Sequence, residues 1–505
     1  MSNMSVSLAP NGLQQLAHKT LDYHRARRVK CDETPGACKQ CISTGRNCDG
    51  YDLPRLPVGM KRQRQDLAWS GPSMRILLDL PGTNPDERRC FNIFQTYTVP
   101  MMVSWFDSDV WQQIVLRMSQ AEPAIYHAVV ALSAIHEDSE KAGLPPGAMD
   151  IRNTYHRFAL AQYSKAASML CRRLVSNDPQ VRAVALMCCI MFICFDLCRG
   201  NYKAAFTHLQ NGVQILEGQI TKANRRHTSP QSIDSGSPTE SALTRVLLHL
   251  DVQSAHFGDS GPLLHLHPVV LGVGSRDNLS LNSLREVKQR LDPIMNNILR
   301  FRRSCEPYVR GEISGPFLFD IAEASAEQRR IQAHLDDHIR AFEDYVLRQA
   351  PYLVNSKDAR SIDLMRLQNE ALTNILETSL VTSEMVYDDY LPVYKKITRR
   401  AEKIITSFQS DYGTHRPCIV MDMGVIPSLL WVCLKCRDFP TRHRAVKLLE
   451  RWPHREGAYD SHLLVQIVKD HMVLEQPIAG DGATANVPEY ARIDSVMRVN
   501  TSGEE

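Results

Sequence analysis

Cys31, Cys38, Cys41 and Cys48 form a C-x6-C-x2-C-x6-C array in a stretch with almost no large apolar side chains. Thiolates this close in sequence can converge on one metal ion, and zinc accepts four sulfurs tetrahedrally at little geometric cost. The plainer alternative is a loop carrying four ordinary free thiols. A unit as small as residues 21–51 cannot bury a sizeable core and usually depends on a metal or on disulfides. Directly ahead of the array lies a dense cationic run, Arg25-Ala26-Arg27-Arg28-Val29-Lys30. Arginine can pair bidentately with guanine edges, and Arg25, Arg27, Arg28 and Lys30 can each release counterions from a phosphate backbone. The bland reading of the same residues is a solvated basic face or part of a nuclear import signal.

Other chemistry-bearing residues read as structural. Cys433-Leu434-Lys435-Cys436 has the spacing of half a zinc site, but no second pair is close in sequence and the segment is apolar and helical, so buried core is expected. Cys188, Cys189, Cys194 and Cys198 are expected to pack in a central helix, and Trp105 and Trp111 in the core. His127 and His136 share a helix but lack a third ligand at metal spacing. Lys61, Arg62 and Arg64 form a short basic cluster suited to import or phosphate contact, a common and weak pattern. No glycine-rich phosphate loop, nucleophile elbow or histidine–glutamate zinc motif is present, so an enzyme is not expected.

The elements that must position these residues follow from composition and periodicity. The 505 residues suffice for more than one folding unit at roughly 100–200 residues each. A formal net charge of +3 identifies no partner, so any nucleic-acid signal has to be local. The longest apolar run, Ala183 to Phe195, is closed by Asp196 and is shorter than the ~20 residues of a membrane span. With no secretory signal pattern at the start, an intracellular setting with reduced cysteines and no membrane association is expected.

Residues 1–20 read as a disordered N-terminus, 21–51 as the cysteine module, and 52–86, with Pro54, Pro57, Pro72, Pro81 and Pro85, as a linker without heptads. Helical periodicity begins at about residue 87. Glu122-Pro123 opens one helix. Asp178-Pro179 opens another that Gly200 stops, and Tyr202, Phe206, Leu209, Val213 and Leu216 continue as its hairpin partner. A Ser/Thr/Pro-rich stretch at 219–241 reads as a flexible insertion, helices resume to about residue 475, and 476–505 reads as a disordered tail. Strand-like alternation is scarce, so the large unit is expected to be all-α, with the small zinc module appended at its N-terminal side.

Residues His24 to Glu33, Cys38-Lys39-Gln40-Cys41 and Gly45 to Tyr51 closely resemble the fungal Zn2Cys6 binuclear-cluster proteins, whose pattern is C-x2-C-x6-C-x6-C-x2-C-x6-C. The resemblance places the third to sixth cysteines on Cys31, Cys38, Cys41 and Cys48. It also places Arg27 and Arg28 at the helix end that meets base edges. It implies a zinc cofactor, CGG-type double-stranded DNA and a nuclear regulator of RNA polymerase II genes. The transcription machinery is then a partner, and a homodimer is allowed. His24 stands at the second-cysteine position and could supply an imidazole ligand, but Leu21 stands at the first and cannot ligate. In that family the first and fourth cysteines bridge both metals, so the loss at Leu21 takes a ligand from each zinc. Three readings stay open: an alternative upstream exon carries the missing cysteines, the four present bind one zinc, or the module is defunct.

Residues 87–475 resemble the fungal-specific transcription factor domain that follows such clusters, here placed at the C-terminal side of the module. The resemblance is carried by Glu87 to Phe91, Trp105 to Ser108, Glu122 to Ile125, Arg199 to Tyr202, Leu250 to Ser254, Ile426-Pro427, Leu434 to Arg437 and Arg455 to Gly457. These read as fold-defining positions. The resemblance implies a regulatory role, and it leaves room for a degenerate member that binds proteins or effectors without DNA.

Overall fold

Asn84 opens the first helix described. Its side chain accepts the N–H of Glu87 at 2.8 Å, and the Glu87 carboxylate accepts the N–H of Asn84 at 3.2 Å, a reciprocal capping box. Pro85, counted above among residues that keep the linker irregular, is instead the first residue of helix α1 (Pro85–Ile93). At that position the missing N–H has no helical partner to lose and the fixed φ already suits a helix.

The computed structural model describes residues 84–142, 150–224, 237–254, 281–312, 319–349, 355–413 and 416–475, with positions 43, 56, 351, 487–489 and 492. The chain divides into two units, 1–60 and 61–505, and every helix below belongs to the second. The cysteine module, the expected disordered start and the basic cluster at 61–64 lie outside the described residues, apart from Ser43.

Helix α1 passes through a π turn (Phe94–Thr98) into α2 (Val99–Met102), and a second π turn (Val110–Ile114) leads into α3 (Val115–Ala121). Then come α4 (Pro123–Ala142), α5 (Thr154–Leu174), α6 (Val181–Cys198), α7 (Tyr202–Asn224) and α8 (Pro238–Ser254). The helix expected at Glu122-Pro123 is α4, and the hairpin turning at Gly200 is α6 and α7. Gly200 has φ 72°, the left-handed conformation that ends helices and that side chains resist. Helix covers both ends of the insertion expected at 219–241, because α7 continues to Asn224 and α8 starts at Pro238.

Helix α6 is the centre of this half, packed by α4, α5, α7 and α8, and every residue from Val184 to Cys198 is buried. Among the described residues it alone is long and apolar enough to cross a membrane, and here its partners are protein side chains. Each large side chain so buried contributes roughly 1.5–3 kcal/mol. The run closes at Asp196, whose carboxylate meets Tyr163 at 3.3 Å, Arg199 at 3.4 Å and His208 at 3.5 Å, and which burial pushes up to about 6.

The second half holds α9 (Leu284–Val309), α10 (Ile321–Gln349), α11 (Ser356–Glu377), a 3-10 turn (Glu384–Tyr390) and α12 (Leu391–Tyr412). It ends with α13 (Ile426–Lys435), α14 (Phe439–Arg451) and α15 (Ser461–Glu475). Among the described residues, three two-residue strands lie between these helices. β1 (Ile419–Val420) pairs in parallel with β2 (Arg455–Glu456), which pairs antiparallel with β3 (Tyr459–Asp460). The all-α class holds. Within the tail expected to be disordered, Arg492 is buried and pairs with Asp388 at 2.6 Å. A polar sequence gave no sign of that bidentate pair.

Candidate functional site

None of the residues expected to hold zinc or DNA (His24, Arg25, Arg27, Arg28, Lys30, Cys31, Cys38, Cys41, Cys48) is among the described residues. The polar chemistry of the helical unit is instead concentrated around β2. Glu456 is fully buried, and its carboxylate accepts the N–H groups of Gly424, Val425 and Ile426, each at 2.9 Å. Those N–H groups open α13, where helical peptides offer unsatisfied donors and positive potential to an anion. His454 Nε2 lies 2.8 Å from the same carboxylate, and its Nδ1 lies 2.7 Å from the Trp452 carbonyl. The His454 ring stacks on Trp452 at 3.7 Å, and Trp452 in turn packs on Phe408 and Trp105.

Distant segments are tied to this strand. Gln253 at the end of α8 donates to the Met421 carbonyl at 2.7 Å and accepts the Ala458 N–H at 3.3 Å. Arg455 pairs with Asp460 at 2.5 Å and donates to the Tyr202 hydroxyl at 3.1 Å. Gly457 has φ 54°, and a Cβ there would stand 1.8 Å from the Gln253 carbonyl oxygen. The stretches Arg199 to Tyr202, Leu250 to Ser254, Ile426-Pro427 and Arg455 to Gly457, separate in the sequence, thus meet around one buried strand.

A second buried polar cluster joins the 3-10 turn to α13, α14 and α15. Lys435 and Arg437 hold Glu384 at 2.6 and 3.3 Å, and Arg437 and Arg442 clamp Glu475 at 2.8 and 2.5 Å. Arg442 also donates to the Cys433 carbonyl at 2.6 Å. Cys433 and Cys436, expected as core, are both buried, and burial pushes their thiols up to about 12 and about 11. Cys188, Cys189, Cys194 and Cys198 are buried as well, and so are Trp105 and Trp111.

Metal-compatible geometry arises where the sequence showed none. His127 meets Gln162 at 2.6 Å and Glu87 at 4.0 Å. His136 is different: Glu140, one helical turn on, and Cys418, from the segment entering β1, place their ligand atoms within 4.8 Å of its own and of each other. Only the i,i+4 spacing of His136 and Glu140 was visible in the sequence. Cys418 is too distant along the chain for any spacing rule to find.

A cleft of about 350 Å³ opens between α10, α11 and α12. Its cations already hold carboxylates: Arg366 pairs with Glu343 at 2.6 Å, and Arg400 with Glu370 at 2.8 Å.

The first half of the helical unit, from α1 to α8, matches a known domain. Residues 89–284 match the family described as fungal specific transcription factor domain. This corrects the expected placement: the matched domain is central, and residues 285–475, expected to belong to it, lie outside the match. Over 99% of this chain and 94% of the relative's length, the chain is 23% identical to the aspercryptin biosynthesis cluster-specific transcription regulator atnN of Emericella nidulans. It is 30% identical to the transcription regulator lscL of Purpureocillium lilacinum over 201 residues, 38% of this chain and 47% of that protein. It is 31% identical to the Zn(2)-C6 fungal-type transcription factor afumD of Aspergillus fumigatus over 130 residues, 24% of this chain and 33% of that protein. No solved structure matches. Together the domain match and these relatives support a fungal transcription factor.

Proposed function

We propose that this chain is a nuclear regulator of RNA polymerase II transcription that binds duplex DNA through its N-terminal module and uses the helical unit for regulation. The observation that carries the reading is the domain match at 89–284, downstream of a basic run that leads into four closely spaced cysteines. The donor set suits zinc: Cys31, Cys38, Cys41 and Cys48 supply thiolates, His24 an additional imidazole, and Leu21 nothing. Zinc would hold the loop in shape so that Arg25, Arg27, Arg28 and Lys30 meet the phosphates and guanines of a CGG-type element. The transcription machinery is the protein partner on this reading, and a homodimer would bind paired elements.

The test is binding of the full chain to a CGG-containing duplex and to a scrambled duplex at several salt concentrations, with zinc content measured alongside. Preferential, salt-sensitive binding lost in Cys38→Ser supports the reading, and equal weak binding to both duplexes overturns it. Leu21 at a metal-bridging position favours a second reading, in which the helical unit acts as a protein- or effector-binding module without DNA contact. That reading expects Arg27→Ala with Arg28→Ala to leave reporter output unchanged.

A further inference from the structure

We propose that His136, Glu140 and Cys418 form a binding site for a zinc-class divalent cation, separate from the N-terminal cysteines, that fastens α4 to the segment entering β1. The three ligand atoms lie within 4.8 Å of one another. His136 Nε2 and the Glu140 carboxylate are 3.7 Å apart, too far for a hydrogen bond but close to the roughly 3.4–3.8 Å between ligands on one tetrahedral zinc. The His136 side chain is fully buried, and Nε2 has no hydrogen-bond partner, a costly state unless that nitrogen binds something.

Orientation around the site is already fixed. Thr98 Oγ1 meets His136 Nδ1 at 2.9 Å, the outer hydrogen bond that metal-ligating histidines normally make. The Tyr97 hydroxyl donates to Glu140 from the neighbouring π turn. The backbone of Cys418 is held by strand pairing, its carbonyl accepting the Arg455 N–H at 2.9 Å. A nitrogen, an oxygen and a sulfur make a donor set that suits zinc better than magnesium or calcium. Charge also closes: one carboxylate and one thiolate neutralise a divalent cation, which matters in a buried place. Cysteine ligates as the thiolate, so binding releases the Cys418 thiol proton to solvent. Three protein ligands leave a fourth tetrahedral position for water.

The test uses the full chain with Cys31, Cys38, Cys41 and Cys48 replaced by serine, so that the N-terminal thiols cannot contribute. Reduced, metal-stripped protein is titrated with Co2+ alone. One equivalent per chain with a sulfur-to-cobalt charge-transfer band is expected, and the band should vanish in Cys418→Ser and survive in Cys171→Ser. Thr98→Ala should weaken affinity ~10–100-fold without removing the band. Because Cys418→Ser could disturb packing, Glu140→Gln and a zinc-dependent rise in melting temperature of the parent chain serve as independent readouts. A parent chain that is folded by circular dichroism yet shows no band and no melting shift overturns the proposal, as does a band that persists without Cys418.

Discussion

The Glu456 carboxylate occupies the space that any side chain at position 424 would need: a Cβ on Gly424 would come within 2.2 Å of Oε1. Trp105 closes the same space from the other side at 2.7 Å. The bare glycine lets the backbone approach so closely that three successive N–H groups reach one carboxylate. An anion completely removed from water is tolerable only with such full hydrogen bonding.

Glu456→Ala is therefore expected to destabilise the helical unit by about 3–5 kcal/mol, the usual cost of breaking a buried charged network. Glu456→Gln keeps the shape and should cost less. Urea denaturation of both variants checks this, and equal midpoints for wild type and Glu456→Ala would show that the carboxylate is not the anchor.

Gly457 and Gln253 form a coupled pair. Gly457→Ala forces a side chain into a left-handed backbone and against the Gln253 carbonyl oxygen. Adding Gln253→Ala relieves the clash while leaving the strain, so the double variant should be more stable than the sum of its singles by ~0.5–3 kcal/mol. Strict additivity in a double-mutant cycle would contradict the contact.

Cys433 in α13 and Cys436 just past its end give a negative test for metal. Cys433→Ala with Cys436→Ala should leave the zinc content of the full chain unchanged and cost on the order of 1 kcal/mol per site through lost packing. Loss of one zinc per chain would assign the pair a ligand role.

His338 makes stability depend on pH. Its ring is buried, both nitrogens lack hydrogen-bond partners, and burial, aided by Arg290, holds it down at about 4 against an ordinary 6.5. Between those values the unfolded chain takes up a proton that the folded chain refuses. Stability is thus lost as pH falls from 6.5 towards 4, by on the order of 3 kcal/mol from this residue. His471, also held down at about 4 by burial, adds loss in the same direction. His338→Leu should narrow the stability gap between pH 7 and pH 4.5, measured by urea titration at each pH. An undiminished gap refutes the assignment.

Arg27 and Arg28 should act on DNA and not on folding. Substituting either with alanine is expected to weaken binding to a CGG-containing duplex by ~1–3 kcal/mol if it reads a base. If it meets only phosphate, the salt dependence should fall by about one ion. Anisotropy titrations across a salt series separate the two outcomes, and the helical unit's melting temperature should not move.

Helix positions were legible because their signals are local. Glu122-Pro123, the apolar run from Ala183 and the stop at Gly200 each announce an element within a few residues. The start at Pro85 is ambiguous in the sequence, because proline discourages a helix interior yet favours its first turn, and only Asn84 with Glu87 distinguishes the cases. The polar interior was not legible. Glu456 looks like any surface glutamate until Gly424 and His454 are brought beside it, and His136 looks ligandless until Cys418 arrives from the far end of the fold. Stretches such as Arg455 to Gly457 could be recognised as fold-defining, but their meeting around one strand is a property of the folded chain.

The way Gln253, Trp105 and His136 are satisfied sets the order in which this protein can be made. Met421 and Ala458 complete Gln253, Phe408 and Trp452 pack Trp105, and Cys418 faces His136. All of these partners leave the ribosome after residue 284, where the matched domain ends. A chain cut at 284 would expose the ends of α4 and α8 and the ring of Trp105 to water. The end of the domain match is therefore not a folding boundary, and the core of the helical unit cannot close until the strand around Glu456 has been synthesised.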